Sequence, residues 1–264
     1  MRIHSLYIYP VKSLAGIPVS SFDMDDFGPA NDRRWMIVDS ERRFVTQRDY
    51  PMLARIHTSL EGDCVRVSIP GEGEYLLQAG EDEARVLVWR DWVKAVYGAP
   101  EVSDALSRFC GEDFRFVYMP DASFRRVDAG RVTEERRVSF ADGFPFLITN
   151  LASLSELNGR LDKPVEMRRF RPNIVVEGGE PWSEDDWRQL LIGEQAFSVV
   201  KPCSRCVMTT VDPDAGTKAA DLQPLRTLGR YRRTADGVIF GMNAIHESPG
   251  TIRVGDPVIN RNTE

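Results

Sequence analysis

Along the first hundred residues, short β-rich segments alternate closely with turn signals, and few architectures tolerate that pattern. Residues 3–9 are β-branched and aromatic and stop at Pro10. Residues 35–38 and 44–47 flank the polar turn 39–43, a hairpin signal. Residues 55–60, 64–69 and 75–78 follow, separated by Glu61-Gly62-Asp63 and Pro70-Gly71-Glu72-Gly73; residues 85–89 and 93–97 extend the meander. Strands this short and this evenly spaced predict an antiparallel barrel or sandwich.

Helical periodicity is confined to a few places. Over 102–110, Val102, Ala105, Leu106 and Phe109 share a face and Gly111 stops the run. Over 151–161, Asn150 suits an N-cap and Leu151, Leu154, Leu157 and Leu161 form the stripe. A third helix is expected at 224–232. The remaining segments, 114–118, 165–170, 173–176, 190–192, 196–200, 207–211, 238–246 and 250–259, read as strands, and 121–135 reads as a long polar surface loop. The expected class is α+β, predominantly β. At about 150 residues per domain, 264 residues allow one large or two small units. A strand-rich 1–115 and a mixed 116–264 are expected, joined without a flexible linker.

Charge and hydropathy narrow the function. Lys and Arg number 34 against 40 Asp and Glu, a formal charge of −6. That balance disfavours binding a nucleic acid polymer, which runs on excess positive charge. Hydrophobic residues make up 42%, enough for a core. No apolar run approaches the roughly 18 residues that span a bilayer; the best, 144–151, is broken by Thr149 and Asn150. The first residues begin at once as a strand, so the expectation is a cytoplasmic protein without a signal peptide or membrane contact.

Four cysteines are too few for a disulfide scaffold. Cys64 and Cys110 lie in apolar patterns and read as buried small hydrophobes. Cys203 and Cys206 form a C-x-x-C pair. A zinc site would need two more ligands, and no second C-x-x-C or nearby His supplies them. Thioredoxin-like exchange would need the pair to open a helix, whereas residues 207–211 are β-branched. Two readings stay open: a single thiolate ligand to a cofactor metal, or two structural thiols at a strand end. Arg205 between them could hold a phosphate.

Two other features seek anions. In residues 9–16 a strand ends at Pro10 and Lys12-Ser13 sit in a loop closed by Gly16; loop amides, a lysine and a hydroxyl suit an anion, though a solvated turn fits as well. If residues 165–170 continue extended, Arg169 and Arg171 share one face and want a carboxylate of the protein or a phosphorylated ligand. Other motifs carry little. Gly71 and Gly73 lack a dinucleotide fingerprint, and no G-x-S-x-G is present. His4 and His57 read as packing or surface residues, and His246 matters only if the fold brings it to the site. The pairs and runs Glu134-Glu135 and Glu184-Asp185-Asp186 read as solvated charges.

Taken together, YPVKS (9–13), DRRW (32–35), FRPNIVV (170–176), CSRCVMTTVDPDAG (203–216) and PGTIRVGDPV (249–258) stand in the order of the MOSC superfamily. The chain resembles its amidoxime-reducing and bacterial N-hydroxylamino-reductase branch over nearly its whole length. That resemblance implies an N-terminal MOSC β-barrel packed on a MOSC domain and a molybdenum cofactor, Mo-molybdopterin. It implies Cys206 as the metal ligand and catalytic anchor, and cofactor-binding positions at Lys12, Ser13, Arg33, Arg171, Asn173, Ser204, Arg205 and Asn243. Asp142 falls near a further cofactor position, and Thr209, Thr210 and Asp212 would fix loop geometry. A soft thiolate suits a metal already bound by sulfur. The implied reaction is reduction of small N-hydroxylated compounds, hydroxylaminopurines and amidoximes, as in detoxification of N-hydroxylated bases. No cysteine follows Cys206, so the electrons are expected from an external flavin or iron–sulfur reductase. Two alternatives share these residues: a carrier of the molybdenum cofactor, and a sulfur carrier with a persulfide on Cys206, the chemistry linked elsewhere to pyridoxal-phosphate desulfurases.

Overall fold

A computed structural model describes residues 1–262. Strands dominate, with three α-helices among the described residues, Pro100–Cys110, Leu151–Asn158 and Leu225–Tyr231. Their ends follow local chemistry. Gly111 terminates the first in a left-handed C-cap, and its N–H donates to Ser107 O. Asn150 caps the second, its side chain accepting from Ala152 N.

The largest sheet runs in the order Ile17–Val19, Arg2–Ile8, Ile174–Glu177, Phe146–Asn150, Gly237–His246, Gln195–Ser204, Gln189–Ile192, Val258–Asn260. Neighbours are antiparallel except Phe146–Asn150 with Ile174–Glu177, which are parallel and connected through the helix Leu151–Asn158. The first strand of the chain is thus sewn into the sheet of the second half. One face buries Ile3, Leu6, Phe146, Ile174, Phe197 and Ala244. The other packs Leu157, Phe170, Val175, Leu228 and Phe240 beneath the helices.

The first half adds a four-stranded sheet, Trp35–Val38, Arg115–Tyr118, Asp91–Gly98 and Ala79–Val88, and a meander of His57–Glu61, Cys64–Ile69 and Gly73–Leu77. The helix Pro100–Cys110 sends Val102, Ala105 and Leu106 into a core shared with Val65, Val67 and Ile69. The far edge of the large sheet returns to its first strand: Arg2 bridges Pro257, and Ile3 N donates to Asp256 O, Gly255 N to Ile3 O and Val258 N to Met1 O, each at 2.9 Å. Single bridges, Val11–Trp35 and Arg43–Leu87, join segments of the first half. Residues 44–47 likewise form one bridge to Val38 rather than a strand.

Local periodicity misplaced some side chains. Cys64 is exposed, because Val65, Val67 and Ile69 claim the inward face of a period-two strand. Cys110 is half-buried, and burial pushes its thiol up to about 11. Glu184 is fully buried instead of solvated, accepting from Ser153 Oγ at 2.7 Å and Asn150 Nδ2 at 3.1 Å. The segment 121–135 is not merely a surface loop: the buried guanidinium of Arg125 reaches Ser139 O at 3.0 Å, Ala141 O and Asp142 O, fixing the next stretch of chain. No helix among the described residues is long and apolar enough to cross a membrane.

Candidate cofactor site

The chain leaves its first strand at Pro10 and crosses from the large sheet to the four-stranded one. Lys12 N donates to Trp35 O at 2.8 Å and Trp35 N to Pro10 O at 3.1 Å. Ser13 turns the loop in a left-handed conformation, φ 71°, and its carbonyl accepts from Gln47 Nε2 at 2.6 Å. Gly16 lets Tyr9 lie across the loop, since a Cβ there would meet the ring at 2.3 Å. The loop is therefore no solvated turn. Lys12 is only 5% exposed. Its ammonium donates to Phe140 O at 2.8 Å and Asp142 Oδ1 at 2.5 Å. Burial pulls Lys12 down to about 8, with Asp142 opposing. Desolvation pushes the Asp142 carboxyl the other way, but Lys12 and then Arg48 outweigh it and hold it well below the carboxylate range.

Beside this loop lies a buried polar knot. Asp32 accepts from Tyr9 N at 2.8 Å, Asn173 Nδ2 at 3.1 Å and Arg33 Nη1 at 2.6 Å. Arg33 also donates to Asn173 Oδ1 at 3.2 Å. Asn173 completes its set with Leu147 N and Tyr7 O. The guanidiniums of Arg33 and Arg171 stack on Tyr9 at 4.4 and 4.2 Å. Arg171 donates to Leu14 O at 2.6 Å, and burial, reinforced by Arg33, lowers it to about 10 against the pull of Tyr9.

The expected strand over 165–170 is instead a 3-10 turn, Met167–Phe170, followed by Arg171 in a left-handed conformation, φ 55°. Phe170 sets this geometry by stacking on Phe240 at 3.9 Å. The two arginines accordingly part company. Arg169 finds a carboxylate of the protein, Asp212 Oδ2 at 2.8 Å, and Arg171 turns toward the Lys12 loop.

The strand Gln195–Ser204 delivers the cysteines. Cys206 caps a 3-10 turn, Val207–Thr210, where a strand was expected. The threonine hydroxyls explain the difference: Thr209 donates to Cys206 O at 3.0 Å and Thr210 to Val207 O at 2.7 Å, in place of ladder bonds. Asp212 then closes an Asx turn, accepting from Asp214 N and Ala215 N. Gly216, at φ 64°, lets this turn press on the first half, where a Cβ would lie 3.0 Å from Met52 Cα.

Cys206 is half-buried, and its sulfur accepts from Arg48 Nε at 3.3 Å. Arg48 also faces Asp142 Oδ2 at 3.7 Å. Lys12, Asp142, Arg48 and Cys206 therefore form one continuous cluster across the two halves. Cys203 pairs separately, accepting from Arg205 Nη1 at 2.9 Å. Arg205 also donates to Phe170 O at 2.8 Å, while its Nε is buried without a partner. Ser204 is exposed and donates to Asp236 O. Asn243 donates to Pro202 O at 3.4 Å, steadying the strand just before the cysteines.

A cavity of about 270 Å³ opens at the junction, lined by Tyr9, Gly16, Gln47, Arg171 and Met208 among others. Neither Cys206 nor Lys12 lines it directly; Gln47, which does, reaches the Lys12 loop at Ser13 O. His57 also borders the cavity, whereas His246 is buried against Phe146 and away from the site. Sequence reasoning passed over Arg48, whose surroundings are irregular and carry no period, and over Tyr9 as the platform for both arginines. Among the described residues no three His, Cys, Asp or Glu gather as a metal cage.

The chain belongs to the MOSC family: the MOSC N-terminal beta barrel domain matches residues 1–113 and the MOSC domain residues 135–259. Within it, the chain is similar to mitochondrial amidoxime-reducing component 1 of Homo sapiens, 34% identical over 97% of this chain and 82% of the relative. Component 1 of Mus musculus is 34% identical and Homo sapiens component 2 is 32% identical, each over 97% of this chain and 82% or, for the mouse protein, 81% of the relative. The crystal structure of the YUAD protein from Bacillus subtilis aligns over 97% of this chain and 93% of its own, at 12% identity and a TM-score of 0.43.

Proposed function

We propose that this protein is a molybdenum-cofactor oxidoreductase that reduces small N-hydroxylated compounds, amidoximes and hydroxylaminopurines, with electrons from a separate flavin or iron–sulfur reductase. The observation that carries the reading is the setting of Cys206: a half-buried free thiol, held by an arginine, in a junction lined with cations. Among the described residues no group of three His, Cys, Asp or Glu gathers as a metal cage, and a lone sulfur suits a metal that brings its own ligands, as a dithiolene pterin does. The names of the mitochondrial relatives support the same substrate class.

The cofactor would supply two-electron chemistry that exchanges an N–OH bond for N–H and water. The chain's part is binding and orientation. Cys206 Sγ would hold the metal, with Arg48 fixing the sulfur's direction. Lys12 and Arg171, each with donor capacity beyond its one or two protein bonds, would hold the anionic pterin tail with the Ser13 loop. Arg33 and Asn173 would brace Arg171 from behind, through Tyr9 and Asp32. On the cysteine side, the unpartnered Nε of Arg205 supports an anion contact, with Ser204 and Asn243 flanking it.

The test is elemental analysis of the purified protein, fluorescence of its released and oxidised pterin, and turnover of benzamidoxime with an artificial reductant. We expect one molybdenum per chain and conversion to the amidine. Cofactor that is handed to an acceptor protein without any turnover would make the chain a carrier. One extra sulfur on Cys206 by mass spectrometry, with no metal, would make it a sulfur carrier.

A further inference from the structure

Trp89 is unlike the aromatics of the core. It sits at the turn between Ala79–Val88 and Asp91–Gly98 in a left-handed conformation, φ 57°, a region bulky residues rarely adopt. It is also 43% exposed. A glycine or asparagine would make this turn without strain. Strain kept at an exposed position, with little core burial in return, marks a place to look for function.

Its neighbours are those of the cofactor site. The indole Nε1 donates to Asp142 Oδ1 at 3.4 Å. The Arg48 guanidinium lies 4.7 Å from the indole centre, and Phe44 supports the ring at 5.0 Å. Arg48 in turn donates to the Cys206 sulfur. One side chain therefore separates the indole from the proposed metal ligand. Asp142 is 63% exposed, and its Oδ2 has its nearest cation at 3.7 Å, beyond a hydrogen bond. That oxygen keeps acceptor capacity beside the aromatic surface.

We propose that Trp89 is a specificity-determining residue, a stacking platform that selects planar N-hydroxylated substrates, with Asp142 beside it to accept a substrate N–H. This rests on the reductase reading and adds its discrimination. Amidoximes and hydroxylaminopurines present flat π systems edged with N–H groups, which suit an indole next to a carboxylate. Saturated hydroxylamines lack the flat face and gain nothing from the platform.

The experiment uses the cofactor-loaded protein and its Trp89→Leu and Trp89→Phe variants. Binding of benzamidine, a planar amidine that cannot be reduced as an N–OH compound, is followed by titration calorimetry. KM and kcat are measured for benzamidoxime and for N-hydroxycyclohexylamine, and thermal unfolding is recorded alongside. We expect Trp89→Leu to weaken benzamidine binding and raise the benzamidoxime KM five- to tenfold, with kcat within about twofold. The saturated substrate's KM should stay within about twofold, and Trp89→Phe should restore most of the loss. Equal losses for both substrates, or unchanged benzamidine binding in Trp89→Leu, would overturn the proposal. Should Trp89→Leu fail to fold, Trp89→Asn, which suits the turn, takes its place: losses confined to benzamidine and benzamidoxime would support the proposal, and equal losses for both substrates would refute it. Trp89-dependent benzamidine binding without any turnover would instead defeat the reductase reading and leave the platform standing.

Discussion

Two polar regions meet at the junction, and they spend their hydrogen bonds differently. In the knot, Asp32 and Asn173 are satisfied inside the protein by Tyr9, Arg33, Leu147 and Tyr7. In the rim, Lys12, Asp142, Arg48 and Cys206 touch in sequence, yet Asp142 stays open to solvent and the thiol carries one contact. A satisfied network holds shape and has nothing left for a ligand, whereas a partly satisfied one is held in readiness. Residues that look alike in sequence, Arg33 and Arg171, thus fall on the two sides of this divide, brace and clasp.

The sharpest way to break the comparison is to cut the knot. Asp32→Ala leaves Arg33 buried without its carboxylate, and we expect a loss of about 3–5 kcal/mol in urea unfolding. A loss under about 1 kcal/mol would mean the knot is not structural. The rim should answer the opposite way. Lys12→Met should speed cofactor release or lower loading about tenfold while costing little fold stability, because Asp142 can hydrate.

Acidity separates the regions further. Lys12 lies near 8 and loses its charge as pH rises through that value, so cofactor retention should weaken above it. The linkage sign for the empty protein is reversed. Between about 8 and its ordinary 10.5, the unfolded chain holds the Lys12 proton more tightly than the folded one. This group's contribution to stability therefore rises with pH in that window. Retention measured from pH 7 to 9.5, beside unfolding of the empty protein, resolves the two trends. Retention that is flat with pH would place the anion away from Lys12.

Smaller effects sharpen the rim itself. Arg48→Met removes the donor to the sulfur, and kcat should fall about tenfold with unfolding changed by no more than about 1 kcal/mol. Ser204→Ala removes an exposed bond to Asp236 O, and its effect on unfolding should stay within about 0.5 kcal/mol.

Much of this was legible in the sequence, for physical reasons. The Leu151–Asn158 helix announced itself through Asn150 and its leucine stripe, and Gly111 marked the end of Pro100–Cys110, because caps and 3.6-residue periods are local. Pairing between Arg2–Ile8 and Ile174–Glu177 is not local, and no spacing rule reveals it. Two of the misread strands failed where side chains overruled propensity: Thr209 and Thr210 bonded backwards, and Phe170 chose Phe240. At the site, motif order placed Cys206, Lys12 and Arg171 together, and the fold brings them to one junction. Arg48 and Trp89 went unseen, because an irregular segment and a hairpin tip become neighbours of a distant thiol only after folding.

The most direct measurement is molybdenum content in Cys206→Ser against Cys203→Ser, both purified as folded protein. The sulfur of Cys206 faces the rim through Arg48, and that of Cys203 is turned to Arg205. The first variant should hold no metal and the second as much as the unaltered protein. Full loading of Cys206→Ser, or equal loss in both, would contradict Cys206 as the metal ligand.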